Sequence, residues 1–158
     1  MKIGILSDTH QSFLEPWIFQ AFSGVDLILH AGDVIRDGVL IELETIAPVQ
    51  AVRGNCDPWD IALPMSRTLR FGRRSAILIH QLEDADNLIR LDTFLVIYGH
   101  THVPRMESVA GIWMVNPGSP VSPRGGHPPS VLVLTIEDSG NEPTIKGIFK
   151  FPGERADG

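Results

Sequence analysis

Five hydrophobic runs in this chain each end on a side chain that can bind a metal ion. Ile3–Leu6 runs into Asp8 and His10, and Leu27–Leu29 into Asp33. Val49–Val52 leads to Asn55, Ala76–Ile79 to His80, and Phe94–Tyr98 to His100 and His102. Short apolar runs bounded by turn residues read as buried strands. In an α/β sheet the carboxyl ends of the strands form a rim where ligands collect. The fold must therefore bring seven nitrogen and oxygen donors to one rim. Seven exceed what one small ion needs, and they suit two divalent ions sharing a bridging carboxylate. The pattern predicts a dinuclear metal hydrolase.

The remaining bulk features narrow the class. At 158 residues the chain can bury a proper core, and it predicts one domain over 1–151 with 152–158 as a flexible tail. No apolar stretch approaches the ~18 residues of a membrane span, so no membrane partner is expected. Met1–Leu6 opens directly on a strand, without the regions of a signal peptide. The single cysteine, Cys56, cannot form an internal disulfide, which points to a reducing, cytoplasmic home. A formal charge of −6 argues against nucleic acid as the main partner, because phosphate contacts need clustered Lys and Arg. The one basic cluster, Arg67, Arg70, Arg73 and Arg74, straddles a predicted hairpin turn and reads as a solvated face.

Strands and helices alternate over the first two-thirds. Pro16 suits the first turn of a helix carrying Trp17, Ile18, Ala21 and Phe22 on its apolar face. A second helix is predicted from Gly38 to Ile46, a hairpin around Gly72, and helical spacing from Leu82 to Leu91. The last third predicts strand pairs around Ala110-Gly111 and Asp138–Pro143, separated by the Gly/Pro-rich loop Asn116–Pro129. Helices covering two stacked sheets would satisfy this order.

The local motifs are Ser7-Asp8-Thr9-His10, Gly32-Asp33, Gly54-Asn55-Cys56-Asp57, His80 and Gly99-His100-Thr101-His102. Each is weak alone; their order after strands is what carries weight. The glycines at 32, 54 and 99 read as tight turns that aim the next side chain over the rim. In this order the motifs resemble the calcineurin-like metallophosphoesterases, in particular their small bacterial and archaeal phosphodiesterase branch, which includes the retromer scaffold subunit. The resemblance runs from Met1 to about Phe151 and includes Asn116-Pro117-Gly118-Ser119 and Pro123-Arg124-Gly125-Gly126-His127-Pro128.

That resemblance implies a four-layer α/β/β/α sandwich with two mixed β-sheets. It also implies that Asp8, His10 and His102 hold one metal and Asn55, His80 and His100 the other, with Asp33 bridging, and that a homodimer or higher homo-oligomer forms. The implied reaction is hydrolysis of a small phosphodiester, or a phosphomonoester, by a metal-bridging hydroxide. Mixed imidazole, carboxylate and amide ligation suits two ions of Mn²⁺ first, with Fe²⁺, Zn²⁺ or Ni²⁺ as alternatives. The competing reading is a metal-binding scaffold of the same fold with weak catalysis. Seven intact donors favour the enzyme, because charged groups packed together without metal are costly.

The chain departs from the family pattern in three places. Cys56 stands where many broader relatives carry a histidine that protonates the leaving group, so no separate general acid is identified; the thiol reads as a packing residue. Gln81 and Leu82 follow His80 where the branch reads His-Gly-His, and Gln11 replaces a glycine, which predicts an open pocket. Asn55 and His127 are the candidate substrate contacts, with loop structure an equal reading for His127. His30 reads as a buried, hydrogen-bonded histidine and Asp57 as a group orienting a ligand imidazole. Asn116 and Ser119 read first as turn residues, with support of the ligands as the alternative.

Overall fold

The computed structural model describes residues 1–11, 13–140 and 142–154. Three short parallel strands, β1 (Lys2–Leu6), β2 (Leu27–His30) and β3 (Val49–Ala51), start the first sheet. The first helix, α1 (Pro16–Ala21), connects β1 to β2, and α2 (Asp37–Glu44) connects β2 to β3. A hairpin of β4 (Ser66–Phe71) and β5 (Arg74–Ile79) starts the second sheet, joined by β6 (Thr93–Ile97), β7 (Arg105–Val109) and β8 (Ile112–Asn116). The chain then returns to the first sheet with the hairpin β9 (Val131–Asp138) and β10 (Pro143–Lys150). The strand orders are β10-β9-β1-β2-β3 and β4-β5-β6-β8-β7, two mixed five-stranded sheets.

The sheets pack face to face. Ile3, Ile5 and Leu29 of the first meet Leu78, Leu95 and Ile97 of the second in one core. On the outer face of the first sheet, Leu6 and Ile28 lie under Ile18 and Phe22 of α1's end and Val39 and Leu43 of α2. The outer face of the second sheet presents Ile77, Ile79, Val96 and Tyr98 to Leu82, Ala85 and Leu88. Every residue of β6 is buried, with Phe94, Leu95 and Ile97 in the central core and Val96 in the outer cluster; a strand covered on both faces reads as a continuous apolar run. The four-layer architecture expected from the sequence is the one found.

The fourth layer is thinner than expected. The predicted helix over 82–91 is a single 3-10 turn, Leu82–Ala85, prolonged by bonds from the Leu88 and Ile89 N–H groups to the Ala85 carbonyl. Two physical reasons account for it. Leu82, Ala85 and Leu88 recur every third residue, which suits the three-residue turn of a 3-10 helix. Asp84, Asp86 and Asn87 are poor helix formers whose side chains compete for backbone groups. Three of the four clustered arginines have partners, Arg70 with Asp92, Arg74 with Glu142 and Arg67 with the Ala51 carbonyl, while Arg70 and Arg73 remain exposed as a solvated face requires. Of the predicted tail, residues 155–158 lie outside the described residues. No helix among the described residues is long and apolar enough to cross a membrane.

Candidate metal centre

All seven sequence-predicted donors meet where the two sheets' carboxyl ends adjoin. Asp8 and His10 follow β1, Asp33 follows β2 and Asn55 follows β3; His80 follows β5, and His100 and His102 follow β6. The Asp33 Oδ2 atom lies 3.4 Å from both His10 Nε2 and His80 Nε2. The Asp8 Oδ1 atom lies 3.3 Å from His102 Nε2, 3.8 Å from His10 Nε2 and 3.9 Å from His80 Nε2. On the far side Asn55 Oδ1 sits 2.9 Å from His80 Nε2 and 3.1 Å from His100 Nδ1. Two imidazole pairs, His10–His102 and His80–His100, thus flank two carboxylates. Two sets, Asp8–His10–His102 and Asp8–Asp33–His80, have donor atoms within 4.8 Å of one another.

Backbone strain aims these side chains. Asp8, His10, Asp33, His100 and His102 all have positive φ, between 43° and 69°. Asp and His adopt this left-handed region more readily than most residues, but it still needs surroundings that hold it. Those restraints run between loops. The Asp8 N–H donates to the Gly32 carbonyl, the His100 N–H to Asp8 Oδ2, and the Ser119 hydroxyl to the Asp8 carbonyl. The glycines expected to make turns act differently. Only Gly32 has positive φ; at Gly54 and Gly99 the need is space. A Cβ at Gly54 would lie 2.1 Å from Asp33 Oδ1, and one at Gly99 1.9 Å from Ser7 Oγ.

The electrostatics call for a cation. Each carboxylate has one oxygen held by a backbone N–H, Asp8 Oδ2 by His100 and Asp33 Oδ1 by Cys56. The other oxygen faces imidazole nitrogens. Asp8 Oδ1 and His10 Nε2 are buried without a hydrogen-bond partner, a costly state for polar atoms. His102 Nδ1 donates to the Ser122 carbonyl, which turns the Nε2 lone pair toward Asp8. His80 faces acceptors on both sides, the Ala31 carbonyl and Asn55 Oδ1, so without a cation the ring must carry two protons. Its pKa is accordingly raised: burial works against the charge, but the Asp33 hydrogen bond and the Asp8 charge outweigh it. Burial raises the Asp8 carboxyl, opposed by the His80 charge. Burial also pushes Asp33 up, but hydrogen bonds from His80 and the Cys56 N–H prevail and hold it below the usual carboxylate range. Converging acceptors with orphaned buried atoms fit bound metal.

Several supporting residues depart from expectation. Asp57 touches no imidazole: it accepts the N–H groups of Asp33, Ile35 and Gly54, binding the β2 and β3 loops together. Cys56 does not pack, since its side chain is exposed. Its thiol pKa is pushed up, first by desolvation and then by the Asp33 charge, and its N–H is the group that serves the site. Asn116 and Ser119 are more than turn residues. Asn116 holds the Gly99 carbonyl and the Thr101 hydroxyl while accepting the Gly118 N–H, and Ser119 holds Asp8. His30 is buried as expected, bonded to the Thr9 hydroxyl and the Gly32 N–H, and burial with the nearby His80 charge pushes its pKa down to about 3. His127 is exposed, on a turn whose Arg124 N–H bonds the His102 carbonyl. The carbonyls of Ala31 and Ser122, which orient two imidazoles, had no sequence signal because any residue supplies a carbonyl.

Two stacked mixed sheets with a rim of imidazole, carboxylate and amide donors define a metallophosphoesterase fold. Residues 1–139 match the calcineurin-like phosphoesterase superfamily domain, and the chain belongs to that metal-dependent superfamily. It is 40% identical to a probable metallophosphoesterase of Methanothermobacter thermautotrophicus, over 87% of each chain. It is 31% identical to the phosphodiesterase YfcE of Escherichia coli, over 85% of this chain and 87% of that one. Its fold superposes on Vps29 of Entamoeba histolytica complexed with Zn²⁺, with a TM-score of 0.72 at 23% identity, covering 94% of this chain and 99% of the other.

Proposed function

We propose that this chain is a dinuclear metal-dependent phosphoesterase acting on phosphodiesters. The observation that supports it most is the pair of buried carboxylates, each with one oxygen fixed by backbone and the other aimed at imidazoles. Asp8, His10 and His102 would hold one ion, and Asn55, His80 and His100 the second. Asp33 would bridge, its Oδ2 being equidistant from His10 and His80. Two divalent ions bound there supply Lewis acidity toward phosphoryl oxygens and activate a water for attack near neutral pH; Mn²⁺ is the proposed ion. With only two carboxylates in the set, the loaded site stays positive and attracts a phosphate ester. Asn55, exposed, turns its oxygen to the two histidines; its amide NH₂ donates to Cys56 Sγ and keeps a second N–H for a substrate oxygen. His127 is the second proposed substrate contact.

Elemental analysis after saturation with Mn²⁺, joined to assays on an ester panel, tests the proposal. About two ions per chain and diester hydrolysis dependent on them are expected, and Asp33→Asn should weaken both sites. A value near one ion that Asp33→Asn leaves unchanged would remove the dinuclear arrangement.

A further inference from the structure

Beside the donor set the surface dips into a pocket of about 410 Å³, a size ordinary for small-molecule sites. The pocket is lined in part by Asn55 and His80, so it opens directly onto the proposed metal centre. The two stretches of chain that leave those donors build its walls: Met65 and Ser66 downstream of Asn55, and Asp84 and Leu88 downstream of His80. Ile79, the last residue of β5, also lines it. Met65 is 62% exposed, a large apolar side chain that the core does not use. Leu88 stands in the pocket because the segment after His80 folds at once into its 3-10 turn. The charges in the lining, Arg53 and Asp84, are opposite and equal in number. An apolar face with a polar edge and no surplus charge suits an uncharged organic group, not a second phosphate.

We propose that this pocket receives one organic substituent of the phosphodiester, an uncharged group with an apolar face of aryl size. It makes the chain prefer esters with such a group over small alkyl or inorganic phosphates. The inference rests on the phosphoesterase reading of the adjoining donors.

Two uncleavable probes separate the two ideas. Calorimetry on the Zn²⁺-loaded protein should show phenylphosphonate binding at least about tenfold more tightly than methylphosphonate, because only the ring buries apolar area. The Met65 ε-methyl NMR signal should shift with phenylphosphonate and not with methylphosphonate. Met65→Ser, at an exposed position where folding does not depend on the side chain, should remove most of the difference and leave methylphosphonate affinity unchanged. Met65→Ser combined with Leu88→Gln should remove the rest. Equal affinity of the two probes, or a preference that survives the double variant with its Zn²⁺ content intact, overturns the pocket's role. If neither probe binds the loaded protein, the phosphoesterase reading fails, and this inference with it.

Discussion

Asp57 contributes no donor atom to the centre, yet three backbone N–H groups, those of Asp33, Ile35 and Gly54, end on its two oxygens. Hydrogen bonds to a charged acceptor are the strong ones, each worth roughly 1.5–3 kcal/mol. Asp57→Asn keeps the shape, but its amide NH₂ cannot accept, so at least one of these N–H groups is left facing a donor. Unfolding titrations should show a loss of about 1.5–3 kcal/mol, and metal titration a weaker affinity. An unchanged metal affinity would mean that the β2 and β3 loops hold Asp33 without this carboxylate. Cys56 supports a second prediction. Its exposed thiol is pushed toward the protonated form and is a poor substitute for an imidazole acid. A positioned acid contributes ~10²–10⁴-fold, mostly for poor leaving groups. Aryl diesters should therefore turn over far faster than alkyl ones. Cys56→Ala should change little, and Cys56→His should help alkyl esters most. Loss of activity in Cys56→Ala with metals retained would make the thiol a catalytic group. The convergence of the seven candidate donors was legible in the sequence because the five segments that carry them each follow an apolar run. Cys56 was misread because its contribution is its N–H, which no residue type announces.

At the scale of elements, strands were easier to read than helices. β6 stood out as the continuous apolar run Phe94–Tyr98, and the three hairpins were marked by Gly72, Ala110-Gly111 and the Asp138–Pro143 turn. The 3-10 turn after β5 was read as a longer helix because a three-residue apolar spacing fits both periods over so short a span. The positive φ values of the donor loops left no trace in the residue pattern, since Asp and His are ordinary in many conformations. Of the strand-end glycines, Gly32 makes the expected turn, whereas Gly54 and Gly99 are needed for a different reason. Gly54 is required by contact: a Cβ would strike Asp33 at its carboxylate and its backbone nitrogen, 2.1 and 2.3 Å away. Gly54→Ala should therefore push the β2 and β3 loops apart and weaken metal binding by far more than the ~0.5 kcal/mol scale of a surface change. Gly24→Ala, where a Cβ meets nothing within 4 Å, should cost stability through its φ of 76° but leave metal affinity alone. Comparing the two variants by metal titration and thermal melting separates contact from conformation.

For the whole molecule, acid stability is coupled to a histidine outside the donor set. His30 is buried and its folded pKa lies near 3, against 6.5 when exposed. Between those values the unfolded chain binds a proton that the folded chain refuses, so stability is full above pH ~6.5 and falls as pH drops toward ~3. The loss approaches ~5 kcal/mol at most. Urea titrations of chelator-treated protein across this window should show the decline, and His30→Gln should flatten it; an equal slope in the variant would assign the acid sensitivity elsewhere. The donors have a mechanical consequence as well. Three of the five donor-bearing segments leave one sheet and two leave the other. Ions seated among them would rivet two plates at one margin. The plates could then gape only from the opposite margin, hinging on the rivet. Shear between them would load coordination bonds before it peeled the greasy interior, so the catalytic rim would be the last part of this molecule to yield.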